Sequence, residues 1–169
     1  NYSLIKKVNL QRAILPLSIV CKEMLHYIFA IPVIIVFTVF GAHAYYWAWL
    51  WLVPLMIILQ LMFVYAMALL VSLCHVFIRD IEHLIGIIMN LVFFMTPVIY
   101  PFDLVPEQYR WVFKLNPFAP FIETWRNIWL SGSIMGDYNF LLCVVYAGVF
   151  GMIAYLAYKK FSCRIGEWL

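Results

Sequence analysis

Apolar residues do not alternate with polar ones in this chain; they run in blocks. No Asp, Glu, Lys or Arg occurs from residue 24 to residue 78, a run of 55 positions, and two more uncharged runs cover 84–102 and 138–158, of 19 and 21 residues. A helix rising 1.5 Å per residue needs about 20 apolar residues to cross the hydrocarbon core of a bilayer, so each shorter run has the length of one span. The long run is interrupted at Gly41-Ala42-His43-Ala44-Tyr45-Tyr46, where small, polar and interfacial aromatic residues cluster, and it divides into a helical hairpin. These positions predict spans over about 17–40 and 47–77, a third from 84 that is short for a full crossing, and a fourth over 138–158. Pro32 and Pro54 fall inside the first two and predict kinks. Transmembrane strands would alternate apolar and polar over about ten residues, which these runs do not do. The expected fold class is all-α and integral to the membrane.

The stretch 101–136 lies between the last two spans yet is rich in Trp, Phe and Pro, unlike a solvated loop. Pro106, with Glu107 early and Lys114 late, predicts a short helix over 106–115. Asn116 as N-cap and Pro117 as first residue, or alternatively Pro120, predict a second helix over about 118–131. Phe118, Phe121, Trp125 and Trp129 share one of its faces; Glu123, Arg126 and Asn127 share the other. Two short amphipathic helices after a short span suggest a re-entrant element, with Gly132 and Gly136 before the last span. In that span Ala147, Gly148 and Gly151 permit close helix contact.

Composition agrees: 67% of the 169 residues are apolar and 11% charged, against roughly 25% charged in an ordinary soluble domain. Charge then orients the spans. Lys6, Lys7, Arg12 and Lys22 precede the first, Arg79 follows the second, and Lys159, Lys160 and Arg164 follow the fourth, whereas the opposite side holds Arg110, Lys114 and Arg126 among four acids. The positive-inside bias puts both ends in the cytosol. The basic residues form no single soluble face, so the net charge of +3 gives no reason to expect nucleic acid as a partner; membrane lipid is the expected surroundings.

Candidate chemistry is sparse. No Gly precedes a Lys, so no phosphate-cradling G-x-x-x-x-G-K-[ST] loop exists and ATP-driven work requires a partner. There is no H-E-x-x-H, no G-x-S-x-G and no carboxylate pair within a span; His26, His43, His75 and His83 lack metal-ligand spacing, and Cys21, Cys74, Cys143 and Cys163 make no C-x-x-C. No catalytic residue, metal or bound cofactor is expected. The scarcity of intramembrane ionisable groups argues against a proton- or sodium-coupled carrier. Gln60, Asn90 and Thr96 are the main polar side chains deep in the spans, with interhelical hydrogen bonding the simplest role for each. The chain starts at Asn1 instead of Met and reads as a fragment.

Taken together, Asn1-Tyr2-Ser3-Leu4-Ile5-Lys6-Lys7, Ile14-Leu15-Pro16-Leu17, Arg79-Asp80-Ile81, Thr96-Pro97-Val98-Ile99-Tyr100-Pro101 and Asn116-Pro117-Phe118 resemble the ABC-2 type permeases that export bacterial surface polysaccharides such as O-antigen, capsule and teichoic acid. Gln11 departs from the pattern, in which proline commonly precedes the Arg. The resemblance implies a single permease domain over 1–169 that supplies the last four of six spans in the bacterial cytoplasmic membrane, a second permease copy, and a cytosolic dimer of ATP-binding subunits that holds ATP and Mg. It also implies that residues 1–22 include the ATPase-coupling segment, with Lys6, Lys7 and Arg12 as its cations, and that Arg79 and Asp80 form a cytosolic turn. Residues 101–136 would be the outer-side gate, marked by Thr96, Pro97, Tyr100, Pro101, Asn116 and Pro117. The implied cargo is a lipid-linked polysaccharide, and Phe93, Phe94, Tyr100, Trp111, Trp125 and Trp129 are the rings that could meet its sugars. A permease for a drug or lipid, a membrane enzyme acting on lipid-linked sugars, and a passive scaffold are the alternatives.

Overall fold

A computed structural model describes residues 14–42, 46–77, 80–96, 98, 106, 116–134 and 138–165. Among them are five helices and no strand: α1 (Ile14–Ala42), α2 (Trp49–Phe77), α3 (Ile81–Phe94), α4 (Ala119–Ser131) and α5 (Tyr138–Ile165). Helix α1, α2 and α5 are each long and apolar enough to cross a membrane. At 14 residues α3 is about 21 Å long, short of a 30 Å hydrocarbon core. Pro32 and Pro54 both sit within uninterrupted helix.

α2 is the hub. It packs most extensively on α5 and also touches α1, α3 and α4. Helix α1 runs antiparallel to α2, since Ile31 and Ile35 lie by Trp49 and Val53 at one end and Leu15 and Ile19 lie by Ser72 and His75 at the other. Helix α5 runs parallel to α2: Phe150 meets the Phe63 ring, and further along Ala154 shares a buried cluster with Ala66 and Leu69. The seam uses small side chains, with Cys143, Ala147 and Ala154 on α5 almost fully buried. Small residues let apolar helices come close where burial from water gives no drive. Alanine and cysteine take this part, whereas a β-carbon on Gly148 or Gly151 would meet nothing within 4 Å.

The outer surfaces of these helices are apolar. On α1, Phe29, Phe37 and Phe40 are about three-quarters exposed within the chain, a surface that water would not tolerate and that lipid or further protein covers.

Candidate functional site

The aromatic face of α4 is where the chain's polar and aromatic groups converge. Phe118 precedes the helix, and Phe121, Trp125 and Trp129 turn inward at three- and four-residue intervals as their spacing predicts, while Glu123, Arg126 and Asn127 are partly open. Helix α4 starts at Ala119 with Pro120 in its first turn, the second of the two predicted starts. Asn116 closes a turn ahead of it by accepting the Phe118 N–H at 3.0 Å.

Four contacts set the height of α4 against α2. The Trp49 indole N–H donates to the Ile128 carbonyl at 2.8 Å, the Trp125 indole N–H donates to Gln60 Oε1 at 2.7 Å, and Phe63 stacks on Phe121 at 4.8 Å and meets Phe118 edge-on at 5.4 Å. Helix α4 therefore lies antiparallel to α2, its end beside Trp49 and its start beside Phe63, about 21 Å further along at 1.5 Å per residue. Tyr27 of α1 packs edge-on against Trp125, and Trp129 lies stacked beside Trp125 and edge-on to Trp49.

The last carbonyls of a helix lack partners within it. Here Gly132, in the left-handed conformation at φ 63°, returns its N–H to Ile128 at 3.1 Å, and the Tyr46 hydroxyl donates to the Leu130 carbonyl at 3.3 Å. On the open face Arg126 pairs with Glu123 at 2.7 Å.

The start of α4 is joined to the end of α3. Buried Asn116 donates from Nδ2 to Thr96 Oγ1 at 2.8 Å, and the Thr96 hydroxyl donates to the Val92 carbonyl at 2.6 Å. Two segments singled out in the sequence thus meet through one side-chain bond. Replacing Asn116 by Asp should lower stability by about 1–2 kcal/mol, since a carboxylate has no proton to give Thr96 Oγ1, whose own proton is committed to Val92; a melting curve of the purified permease in nanodiscs measures it.

Of the other predicted site residues, Asp80 is exposed beside the start of α3, Pro117 is half-buried, and Phe93 and Phe94 are exposed on α3 with their rings 5.6 Å apart. Trp125 and Trp129, two of the rings singled out for sugar contact, face inward from α4. They are 8% and 9% exposed in the core between α4 and its neighbours, where their indoles pack helices together. Gln60 makes an interhelical bond, as expected; Asn90 is exposed. Lys6, Lys7, Arg12, Arg79, Pro97, Tyr100, Pro101, Trp111 and the helix predicted over 106–115 lie outside the described residues. Spacing did not disclose Tyr46, Trp49 and Gly132 as the clamp on α4; the only sequence signal was a Tyr/Trp cluster, which also marks a membrane interface.

Three long apolar helices around a short amphipathic one define a multi-pass membrane protein. Residues 4–130 match the family described as ABC-2 type transporter, and the chain belongs to it. It is 31% identical over 174 residues to an O-antigen export system permease protein RfbA of Klebsiella pneumoniae, covering 100% of this chain and 65% of that protein. A second protein of that name from the same organism is 32% identical over 92% of this chain and 62% of its own length. A third, from Myxococcus xanthus, is 26% identical over 74% and 48%. The chain thus spans less than two thirds of the length of these relatives.

Proposed function

We propose that this chain forms part of the membrane subunit of an ATP-driven exporter that carries lipid-linked polysaccharide across the bacterial cytoplasmic membrane. The carrying observation is that its similarity to the Klebsiella O-antigen export permeases runs over nearly its whole length. In this reading α1, α2 and α5 cross fully, α3 is a fourth, incomplete crossing, and both ends of the chain face the cytosol. Helix α4 is re-entrant from the outer side; its start beside Phe63, far along α2 from Trp49, supports this, as does the Glu123–Arg126 pair on its partly open face. Exposed Phe93 and Phe94 are the described rings best placed to touch sugars, whose apolar C–H faces can slide over an aromatic surface.

A second copy of the permease completes the path, and a cytosolic pair of ATP-binding subunits drives it. Residues 1–22 couple the two, Lys6, Lys7 and Arg12 docking on the ATPase, with Arg79 and Asp80 in a neighbouring cytosolic turn. Residues 101–136, with Thr96, Pro97, Tyr100, Pro101, Asn116 and Pro117, form the outer gate, and Tyr100 and Trp111 are further candidates for sugar contact.

The test is to co-express the full-length permease with candidate ATP-binding subunits and measure ATPase activity in membranes with and without lipid-linked glycan. Stimulation that disappears when Lys6, Lys7 and Arg12 are changed to Glu is the expected result. An ATPase that responds instead to a non-glycan cargo removes the polysaccharide assignment, and failure to bind any ATPase removes the transport reading.

A further inference from the structure

We propose that the open face between α1 and α3 is a water-filled cleft reaching membrane depth, with Lys22, Glu23 and His26 of α1 at its inner end. The inference rests on the membrane placement and orientation given above and is independent of the cargo.

Among the described residues α1 and α3 do not pack on each other, although both flank α2 near Ser72 and His75. Between them lies a cavity of about 410 Å³ that is mostly apolar in its lining, as at Leu15, Ile19 and Val71, with Ser72, His75 and Glu82 as its polar side chains. Lys22, Glu23 and His26 follow Ile19 at three, four and seven residues, so they continue the cavity-lining stripe of α1. Their side chains are 68%, 63% and 63% exposed, and Glu23 lies 3.7 Å from Lys22 and 3.5 Å from His26.

Packing fixes how deep these groups sit. Tyr27 is level with Gln60, because both touch Trp125, and Glu23 is one turn nearer the cytosolic end, at the height of about Val64. On α5 the first ion after Tyr138 is Lys159, nine residues beyond Phe150, which faces Phe63; parallel packing puts Lys159 level with about Ser72. Glu23 therefore lies roughly 10 Å on the hydrocarbon side of the level that Lys159 marks. Sequence spacing had Lys22 precede the first span; the helix packing moves it inside. Lysine can stretch to an interface from such a depth, but a glutamate side chain is too short to do so. A carboxylate held there and exposed calls for water beside it.

One further feature fits. Above His26 the exposed positions of α1 turn wholly apolar, with Phe29, Val33, Phe37 and Phe40, so the wet surface ends between His26 and Phe29.

Single cysteines test this in the full-length permease, with Cys21, Cys74, Cys143 and Cys163 replaced by Ala, in vesicles with the cytosolic side outward. The probe is a membrane-impermeant cationic methanethiosulfonate, which needs an ionised, hydrated thiol. Lys22→Cys, Glu23→Cys and His26→Cys should react within about tenfold of the rate at exposed Glu82→Cys, and Phe29→Cys and Phe37→Cys at least about a hundredfold slower. Three positions report on the cleft independently, so one misfolded variant leaves the test intact. Slow reaction at all three, matching Phe29→Cys, overturns the cleft and leaves the membrane placement standing. Fast reaction at all positions, Phe37→Cys included, overturns the membrane placement of α1 and the cleft with it.

Discussion

Alanine at Phe63 should cost the folded permease about 2–4 kcal/mol, the largest loss expected from any single truncation among the described residues. Phe63 is 1% exposed and its ring meets three others: Phe118 and Phe121 of the α4 region and Phe150 of α5. Removing it opens a cavity where three elements meet. In a bilayer the unfolded reference is helices already in lipid, so the cost comes from lost van der Waals contact and cavity formation, with little transfer from water. Equilibrium unfolding of the reconstituted protein measures the loss. Hydrogen exchange should show it first at the start of α4, where the remaining ties include the bonds of Asn116 to Thr96 and Met95 and the Trp125–Gln60 bond.

Gly132→Ala should be nearly as damaging, for a different reason. The left-handed backbone at φ 63° disfavours any β-carbon by about 1–2 kcal/mol. In addition, the added methyl would overlap the ring of Tyr46. Moving that ring breaks its hydrogen bond to the Leu130 carbonyl and disturbs its edge-on contact with Trp49. A combined loss of about 3 kcal/mol is expected, read as a lowered melting temperature. Measured in a Tyr46→Ala background, Gly132→Ala should cost only the backbone part, because the overlap acts through Tyr46; an equal cost in both backgrounds would contradict this division.

Periodicity carried the fold a long way in this chain. The uncharged runs located α1, α2 and α5, and the shortness of the third run anticipated a helix that ends at Phe94. The inward face of α4 was legible because Phe118, Phe121, Trp125 and Trp129 repeat with the helix. What those rings touch was not legible, since Trp125–Gln60 and Trp49–Ile128 join residues 65 and 79 positions apart. Tyr46 and Trp49 read equally well as interfacial anchors, a role that aromatic rings at a span's end commonly fill. Ala147, Gly148 and Gly151 of the last span together pointed to close approach; Ala147 is buried in the seam with Cys143 and Ala154 a turn or two away, whereas Gly148 and Gly151 face open space. A side chain as small as alanine suffices there, so glycine content was a poor guide. Net charge counting could not place Lys22 either, because depth depends on how α1 registers against its neighbours.

The hydrogen bonds around α4 are unequally shared, and this gives the subunit a line of weakness. Among the described residues, Tyr46, Trp49 and Gln60, in or just before α2, hold α4 by hydrogen bonds from Trp125 to Leu130, whereas the end of α3 meets the start of α4 through Asn116, at Thr96 and more distantly at the Met95 carbonyl. Mechanically α4 is a passenger of α2. Any rearrangement that draws α3 away will part the molecule at the Thr96–Asn116 seam, at the expense of a bond or two, before it disturbs the tryptophan core.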